Sequence, residues 1–253
     1  AIGGVGVGCP GIVEDHSGIV RYSANLHWEN FDLRAAVQKY SGYTVRLAND
    51  ANAAAWGEAA AGAARGSRNS VMITLGTGVG GGIIIDNKIY AGFNAAGAEL
   101  GHIAIEFEGR PCSCGRRGCW EAYSSATGLI NMTREKIEEC ARTGRKTLMA
   151  EMSENGRAVS GRTSFNAMRA GDDAAAEVVD LYLRYLACGL INIINIFQPE
   201  ILSIGGGISN ERDNLLNPLK PLIEAQQYGG GVVPQTKLCI AELGNDAGII
   251  GAA

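Results

Sequence analysis

Between Glu99 and Glu121 the chain reads Glu99-Leu-Gly-His102, then Cys112-Ser-Cys114-Gly115, then Gly118-Cys119-Trp-Glu121. Three thiols and an imidazole in so short a stretch can supply the four ligands of a tetrahedral zinc site. Thiolate and imidazole suit zinc, and a site closed by four protein ligands is structural. Glu99 and Glu121 bracket those ligands, and the metal needs neither. The expected product is a metal-stapled loop that holds two carboxylates in place, which points to a binding site.

Glycine supplies the next candidates. The chain has 36 glycines in 253 residues, about twice the ordinary ~7% share. They cluster at Gly3 to Gly11, Gly76 to Gly82, Gly205 to Gly207 and Gly229 to Gly231. Gly76-Thr-Gly78-Val-Gly80-Gly81 and Gly6-Val-Gly8-Cys-Pro-Gly11 both satisfy G-x-G-x-x-G. A dinucleotide fingerprint opens a helix after a strand, whereas these runs lead into Ile83-Ile84-Ile85 and Ile12-Val13. No Gly-Lys dipeptide is present, which removes the P-loop. Protein-kinase signatures beyond the glycine loop are also absent. What remains is a glycine turn whose N–H groups and Thr77 hydroxyl can hold phosphate oxygens, or a tight hairpin without a ligand.

Asn49-Asp50 falls where a strand meets a helix. Both are favoured helix caps, and a cap needs no catalytic role. The carboxyl end of a strand in an open α/β sheet is also where ligands bind. A helix N-terminus favours the ionised form of Asp50, and an ionised carboxylate can accept a proton.

The elements that must carry these groups alternate along the chain. Strands are predicted at Val5 to Cys9, Gly18 to Tyr22, Thr44 to Ala48, Ser70 to Leu75, Gly82 to Asp86, Lys88 to Ala91, Ile201 to Ile204 and Lys237 to Leu243. Helices are predicted at Phe31 to Tyr40, Ala51 to Ala64, Thr127 to Arg142, Ala174 to Phe197 and Asn214 to Ala225. The second of these is rich in alanine, the best helix former. The fourth is apolar nearly all round in its second half and should be buried. The polar stretch from Glu154 to Ser164 is expected to be mobile. The mixture predicts an α/β chain split near residue 68: a small unit over 1–68 and a larger one over 69–253 carrying the zinc loop.

Composition bounds the function. A net charge of −4, from 22 basic and 26 acidic residues, offers no basic surface to nucleic acid. No uninterrupted apolar run reaches the ~18 residues of a membrane span. Cys9, Cys140, Cys188 and Cys239 are scattered among apolar residues and are expected to be buried free thiols. That usage suits a cytoplasmic protein.

Together these segments carry a resemblance. Leu47-Ala-Asn49-Asp50-Ala-Asn52 with Trp56-Gly57-Glu58, Leu75-Gly-Thr77-Gly78, Glu99-Leu-Gly-His102 and Cys112-Ser-Cys114-Gly-Arg-Arg-Gly118-Cys119-Trp-Glu121 resemble the signatures of the ROK family of repressors, open reading frames and kinases. The likeness is greatest to its bacterial glucokinases. It extends from Gly8-Cys-Pro10-Gly11 to the terminal Gly244-Asn-Asp-Ala-Gly248-Ile-Ile-Gly251. It implies an actin-like ATPase (ribonuclease H-like) fold with two lobes closing on sugar and ATP.

Residue by residue, the resemblance implies that Asn49, Asp50, Glu99, His102 and Glu121 bind sugar hydroxyls and that Asp50 is the catalytic base. It makes His102, Cys112, Cys114 and Cys119 the ligands of a structural zinc. Gly76, Thr77 and Gly78 match the second phosphate loop, while Gly205, Gly206 and Gly207 match the adenosine segment. The implied reaction is ATP- and Mg²⁺-dependent phosphorylation of glucose at its 6-hydroxyl, by a homodimer or homotetramer. The family's first phosphate loop, Asp-x-Gly-Gly-Thr, does not occur in these residues. The N-terminal lobe is therefore expected to be truncated, and family members also continue into a closing helix past this chain's end. Sugar binding is expected to survive such trimming, and phosphoryl transfer by these residues alone is not. Alternatives are a sugar-responsive repressor, a kinase of N-acetylmannosamine, fructose or allose, and a plain zinc-binding interaction module.

Overall fold

The structure, a computed structural model, describes residues 2–253. Its first elements are β1 (Val5–Cys9), β2 (Ile12–Glu14), β3 (Ile19–Ser23), β4 (Trp28–Asp32), α1 (Leu33–Ser41), β5 (Val45–Asn49) and α2 (Asp50–Ala61). β1 pairs in parallel with β5, with Cys9 opposite Asn49, and β2, β3 and β4 form an antiparallel sheet. Cys9, Val13, Val20, Leu33, Val45 and Leu47 make a small core between them.

The chain then runs through β6 (Ser70–Leu75), β7 (Val79–Ile85), β8 (Lys88–Ile89), α3 (Glu121–Ser124), α4 (Ala126–Thr143), α5 (Leu148–Met152) and α6 (Thr163–Arg169). It finishes through α7 (Asp173–Phe197), β9 (Ile201–Gly205), α8 (Asp213–Glu224), β10 (Lys237–Ile240) and α9 (Ala247–Ala252). The larger sheet has the order β10-β9-β6-β7-β8. β10, β9 and β6 are parallel, and β7 and β8 turn back antiparallel. The larger core joins Val71, Ile73, Leu75 and Ile83 of this sheet to α7, α4, α6 and α8.

α7 is the one helix among the described residues long and apolar enough to cross a membrane by length and composition. Here Tyr182, Leu186, Leu190 and Ile193 have no exposed surface, so its apolarity is that of a core helix.

The alanines of α2 have a packing reason beyond helix propensity. A Cβ added to Gly82 of β7 would overlap Ala55, one on Gly57 would overlap the Ala247 carbonyl, and one on Gly251 would overlap that of Ala53. α2 therefore lies backbone to backbone between β7 and α9, an approach that only Gly and Ala permit. The fully buried Glu58 carboxylate completes the joint by accepting from the N–H groups of Ala63 (2.7 Å), Glu242 (3.1 Å) and Leu243 (2.8 Å).

Several expectations need correction. β2 and β4 were not predicted, and Phe31 and Asp32 belong to β4 rather than to the following helix. β7 begins at Val79, inside the glycine run, because Gly80, Gly81 and Gly82 pair with Ile73 and its neighbours. The stretch 154–164 is not simply a polar mobile loop, since Val159, Thr163 and Ser164 are buried and α6 starts within it. Cys188 and Cys239 are only partly buried.

Asp172 caps α7. Its Oδ1 accepts from the N–H of Ala174 (2.8 Å) and Ala175 (3.2 Å), and its Oδ2 from the Thr147 hydroxyl and the Leu148 N–H (both 2.6 Å). Burial pushes its pKa up, but the hydrogen bonds from Thr147, Ala175, Leu148 and Ala174 outweigh it and hold the carboxyl below its ordinary value. A depressed folded pKa stabilises above the unfolded value of about 3.9 and loses that contribution as pH falls through the folded value. Asp172→Asn leaves Thr147 and Leu148 without one acceptor. It should cost about 1–3 kcal/mol in urea unfolding near neutral pH, with the gap from wild type narrowing at an acid pH below the unfolded value of about 3.9. A gap of equal size at both pH values would contradict this account.

Candidate functional site

The β6–β7 hairpin gathers the site. Its pleat alternates, so neighbouring residues meet different partners. A Cβ on Gly80 would lie 3.5 Å from the Ala51 Cβ in the first turn of α2. Gly81 and Val79 instead press on Leu100 and Gly101, which belong to a 3-10 turn over Leu100–His102. Gly78, at the tip, sits directly over the Glu121 carboxylate. The hairpin thus meets both the first turn of the helix that starts at Asp50, through Gly80, and the segment that carries Glu121, through its tip.

Asn49 is the N-cap of α2, its Oδ1 accepting from the N–H groups of Ala51 (3.0 Å) and Asn52 (3.1 Å). Its Nδ2 donates to the Gly11 carbonyl at 3.1 Å, which ties the helix start to the turn after β1. The capping role is therefore real for Asn49. Asp50 follows as the first helical residue, exposed, with its Oδ1 accepting only from the Ala51 N–H at 3.0 Å. It lines a cleft of about 510 Å³ between β1 and α9, together with Gly8, Asn245 and Gly248. Burial pushes the neighbouring Cys9 thiol pKa up, and the Asp50 charge adds to the rise.

His102, Cys112, Cys114 and Cys119 come together, with their ligand atoms all within 4.8 Å of one another. Bonds of about 2.3 Å to sulfur and about 2.0–2.1 Å to nitrogen, at tetrahedral angles, put ligand pairs about 3.8 Å (S···S) and about 3.6 Å (S···N) apart. The Sγ atoms of Cys114 and Cys119 are 3.7 Å apart, and the Cys112 Sγ is 3.6 Å from the His102 Nδ1. These four residues can hold a zinc-sized ion, with Nδ1 as the histidine donor. A hydrogen bond from the Arg116 backbone, first among several contributions, holds the Cys114 thiol pKa below its ordinary value. Burial, followed by hydrogen bonding with Cys114 and Cys112, pushes Cys119 up to about 12.

The two predicted nucleotide segments are neighbours. β6 and β9 pair in parallel, with Thr74 opposite Gly205, so both glycine turns leave the same end of the sheet. Gly206 has φ +84°, and a Cβ there would overlap the Leu75 backbone. Gly76 and Gly207, by contrast, face open space. The Glu99 side chain is exposed and starts the 3-10 turn that ends at His102.

The ROK family model matches residues 1–253. The chain belongs to the ROK family. It is 39% identical over 249 residues to a glucokinase of Halalkalibacterium halodurans, covering 98% of this chain and 74% of that protein. A xylose repressor of Bacillus subtilis is 30% identical over 225 residues, 89% of this chain and 53% of the repressor. Among solved structures, a ROK glucokinase from Streptomyces griseus in complex with glucose and AMPPNP superposes with a TM-score of 0.87 at 34% identity, covering 100% of this chain and 81% of that one. The fold is the actin-like ATPase fold of ROK sugar kinases.

Sequence reasoning passed over the groups that position this candidate site. Trp120, between Cys119 and Glu121, has no exposed surface and packs its indole on α7 at Gly189, where a Cβ would overlap the ring. Its Nε1–H donates to the Tyr185 carbonyl at 3.1 Å. The signal was present as an unusual glycine in an otherwise apolar helix. Gly189→Ala should expel the indole and cost about 1–3 kcal/mol by overpacking. Denaturant unfolding and near-ultraviolet circular dichroism of the tryptophan would show it; an unchanged spectrum and stability would refute the packing argument.

Proposed function

We propose that this chain belongs to an ATP-dependent ROK kinase that phosphorylates glucose at the 6-hydroxyl. The observation that carries the reading is the β6–β7 hairpin that meets the first turn of α2 at Gly80 and Glu121 at its tip, in a chain similar along its whole length to a glucokinase solved with glucose and AMPPNP. We take the chain as two units, 1–68 and 69–253, with α9 returning to pack on α2 and β1, and as cytoplasmic from its free thiols.

In this reading Asn49, Asp50, Glu99, His102 and Glu121 bind the sugar. Paired hydrogen bonds from carboxylates and an amide select a hexose by geometry. His102 gives Nδ1 to the metal and Nε2–H to a hydroxyl, while Cys112, Cys114 and Cys119 complete a zinc site. A metal held by these four residues would order the loop that carries Glu121 and, with four protein ligands, would have no open position for chemistry.

Asp50 takes the proton of the 6-hydroxyl as its oxygen attacks the γ-phosphorus and the bond to the β–γ bridging oxygen breaks. The Gly76 N–H is engaged by the Gly78 carbonyl (3.0 Å) and the Val79 N–H by Glu121 (3.0 Å). That leaves the N–H groups of Thr77 and Gly78, with the Thr77 hydroxyl, for phosphate oxygens; Gly205, Gly206 and Gly207 flank the nucleotide. Mg²⁺ entering with ATP would neutralise charge on the transferred group.

A coupled assay with ATP and Mg²⁺, on a longer version that adds the family's first phosphate loop to these residues, over glucose, fructose, allose, mannose and N-acetylmannosamine tests the substrate, and the highest kcat/KM should be for glucose. A protein that binds sugar but turns none over, and releases DNA in response, would instead be a repressor, the reading that the xylose-repressor likeness supports. Asp50→Asn should keep most glucose affinity while turnover falls ~10²–10⁴-fold, the scale of general-base loss; turnover within a few-fold of wild type would reduce Asp50 to a helix residue. Cys114→Ser should release the metal and weaken glucose binding together. Elemental analysis showing one tightly held metal in that variant, or a metal-free protein with normal sugar affinity, would break the link between them.

A further inference from the structure

The segment from Cys119 to Thr127 grips the hairpin tip from both sides. Glu121 Oε2 accepts from the Val79 N–H at 3.0 Å, and the Gly78 backbone runs so close over the same carboxylate that a Cβ would overlap it. Five residues on, the Ala126 N–H donates to the Gly76 carbonyl at 2.8 Å, and the Thr127 hydroxyl donates to the Thr77 carbonyl at 2.8 Å. Three hydrogen bonds from one short stretch thus hold Gly76, Thr77 and Val79. The same stretch begins at Cys119 in the thiol cluster and is anchored on α7 by Trp120. The other carboxylate oxygen of Glu121, Oε1, accepts from the Ser113 hydroxyl at 3.3 Å and lies 3.8 Å from the Cys112 Sγ, on the side of the cysteine loop.

We propose that Glu121 and Thr127 couple the sugar site to the nucleotide turn: a sugar hydroxyl donating to Glu121 Oε1 stiffens the grip on Gly76 to Val79 and so raises nucleotide affinity. The proposal rests on the sugar-kinase reading and adds a positioning role to it. A carboxylate oxygen can accept a second donor beside Ser113, and a side chain held by an added donor has less freedom, motion that is also lost to the turn it supports. By linkage the effect is reciprocal, so bound nucleotide must raise sugar affinity by the same factor.

Two readouts test it. Amide exchange at residues 76–79 is followed with and without glucose, and AMPPNP–Mg²⁺ affinity is measured by calorimetry with and without glucose. In wild type, glucose should slow exchange at Val79 and tighten AMPPNP binding ~5–150-fold, the usual range of coupling. Thr127→Val touches no sugar in this arrangement and should keep the glucose affinity of the free protein while shrinking the coupling factor. Glu121→Ala should abolish the factor and speed exchange at Val79, whereas Glu121→Gln, which retains a carbonyl acceptor, should restore slow exchange. Circular dichroism confirms that each variant is folded, and Thr127→Val carries the test if Glu121→Ala is not. A wild-type factor of one, or a full factor in both Thr127→Val and Glu121→Ala, overturns the coupling and leaves the kinase reading intact. A wild type that binds no hexose overturns both.

Discussion

The contact between the Trp120 indole and the bare backbone of α7 at Gly189 sets where everything around it can go. A buried tryptophan is the largest apolar group a core can use, and its N–H needs a partner when desolvated. Both needs are met on one helix, through the close approach at Gly189 and the hydrogen bond to the Tyr185 carbonyl. The residues on either side inherit that position. Cys119 is carried into the thiol cluster, and Glu121 is carried under the hairpin tip. Movement of the indole would therefore disturb a candidate metal ligand and the glycine turn together.

The sheet supplies the second constraint. Parallel pairing of β6 with β9 brings two glycine turns out at one end, and the antiparallel return of β7 folds the first turn back over Glu121. The run Gly80-Gly81-Gly82 serves this packing rather than any ligand, since α2 lies against Gly80 and Gly82 while Leu100 lies against Gly81. The N–H groups with room for a ligand are at the tip, where the side chains end.

Legibility followed the range of the interaction. The cysteine and histidine spacing announced that His102, Cys112, Cys114 and Cys119 gather, because ligand chemistry needs few residue types and the donors lie close in sequence. Long periodic elements such as α7 could be read from their own pattern. The strand β4 and the early start of β7 could not, because tertiary pairing overrides weak local preference there. Asn49-Asp50 was ambiguous for a physical reason: a helix cap and a site residue use the same side chains at the same place, and here Asn49 does serve as a cap. The buried role of Glu58 and the grip of Thr127 on Thr77 join residues far apart in the chain, so no local pattern could announce them.

The joint between α2, β7 and α9 sets a different kind of limit on how this chain can change. A core of interlocking side chains can absorb a substitution by rotating or exchanging a neighbour. Where Gly57 meets the Ala247 carbonyl and Gly251 meets that of Ala53, the atoms in contact are main chain, which no second substitution can trim or rotate away. An added methyl at either position must move a whole helix, and α2 is the helix that carries Asp50. Variation at this joint is therefore not compensable residue by residue: side chains elsewhere in the core can trade volume, but here the only available response is a displacement of the site itself.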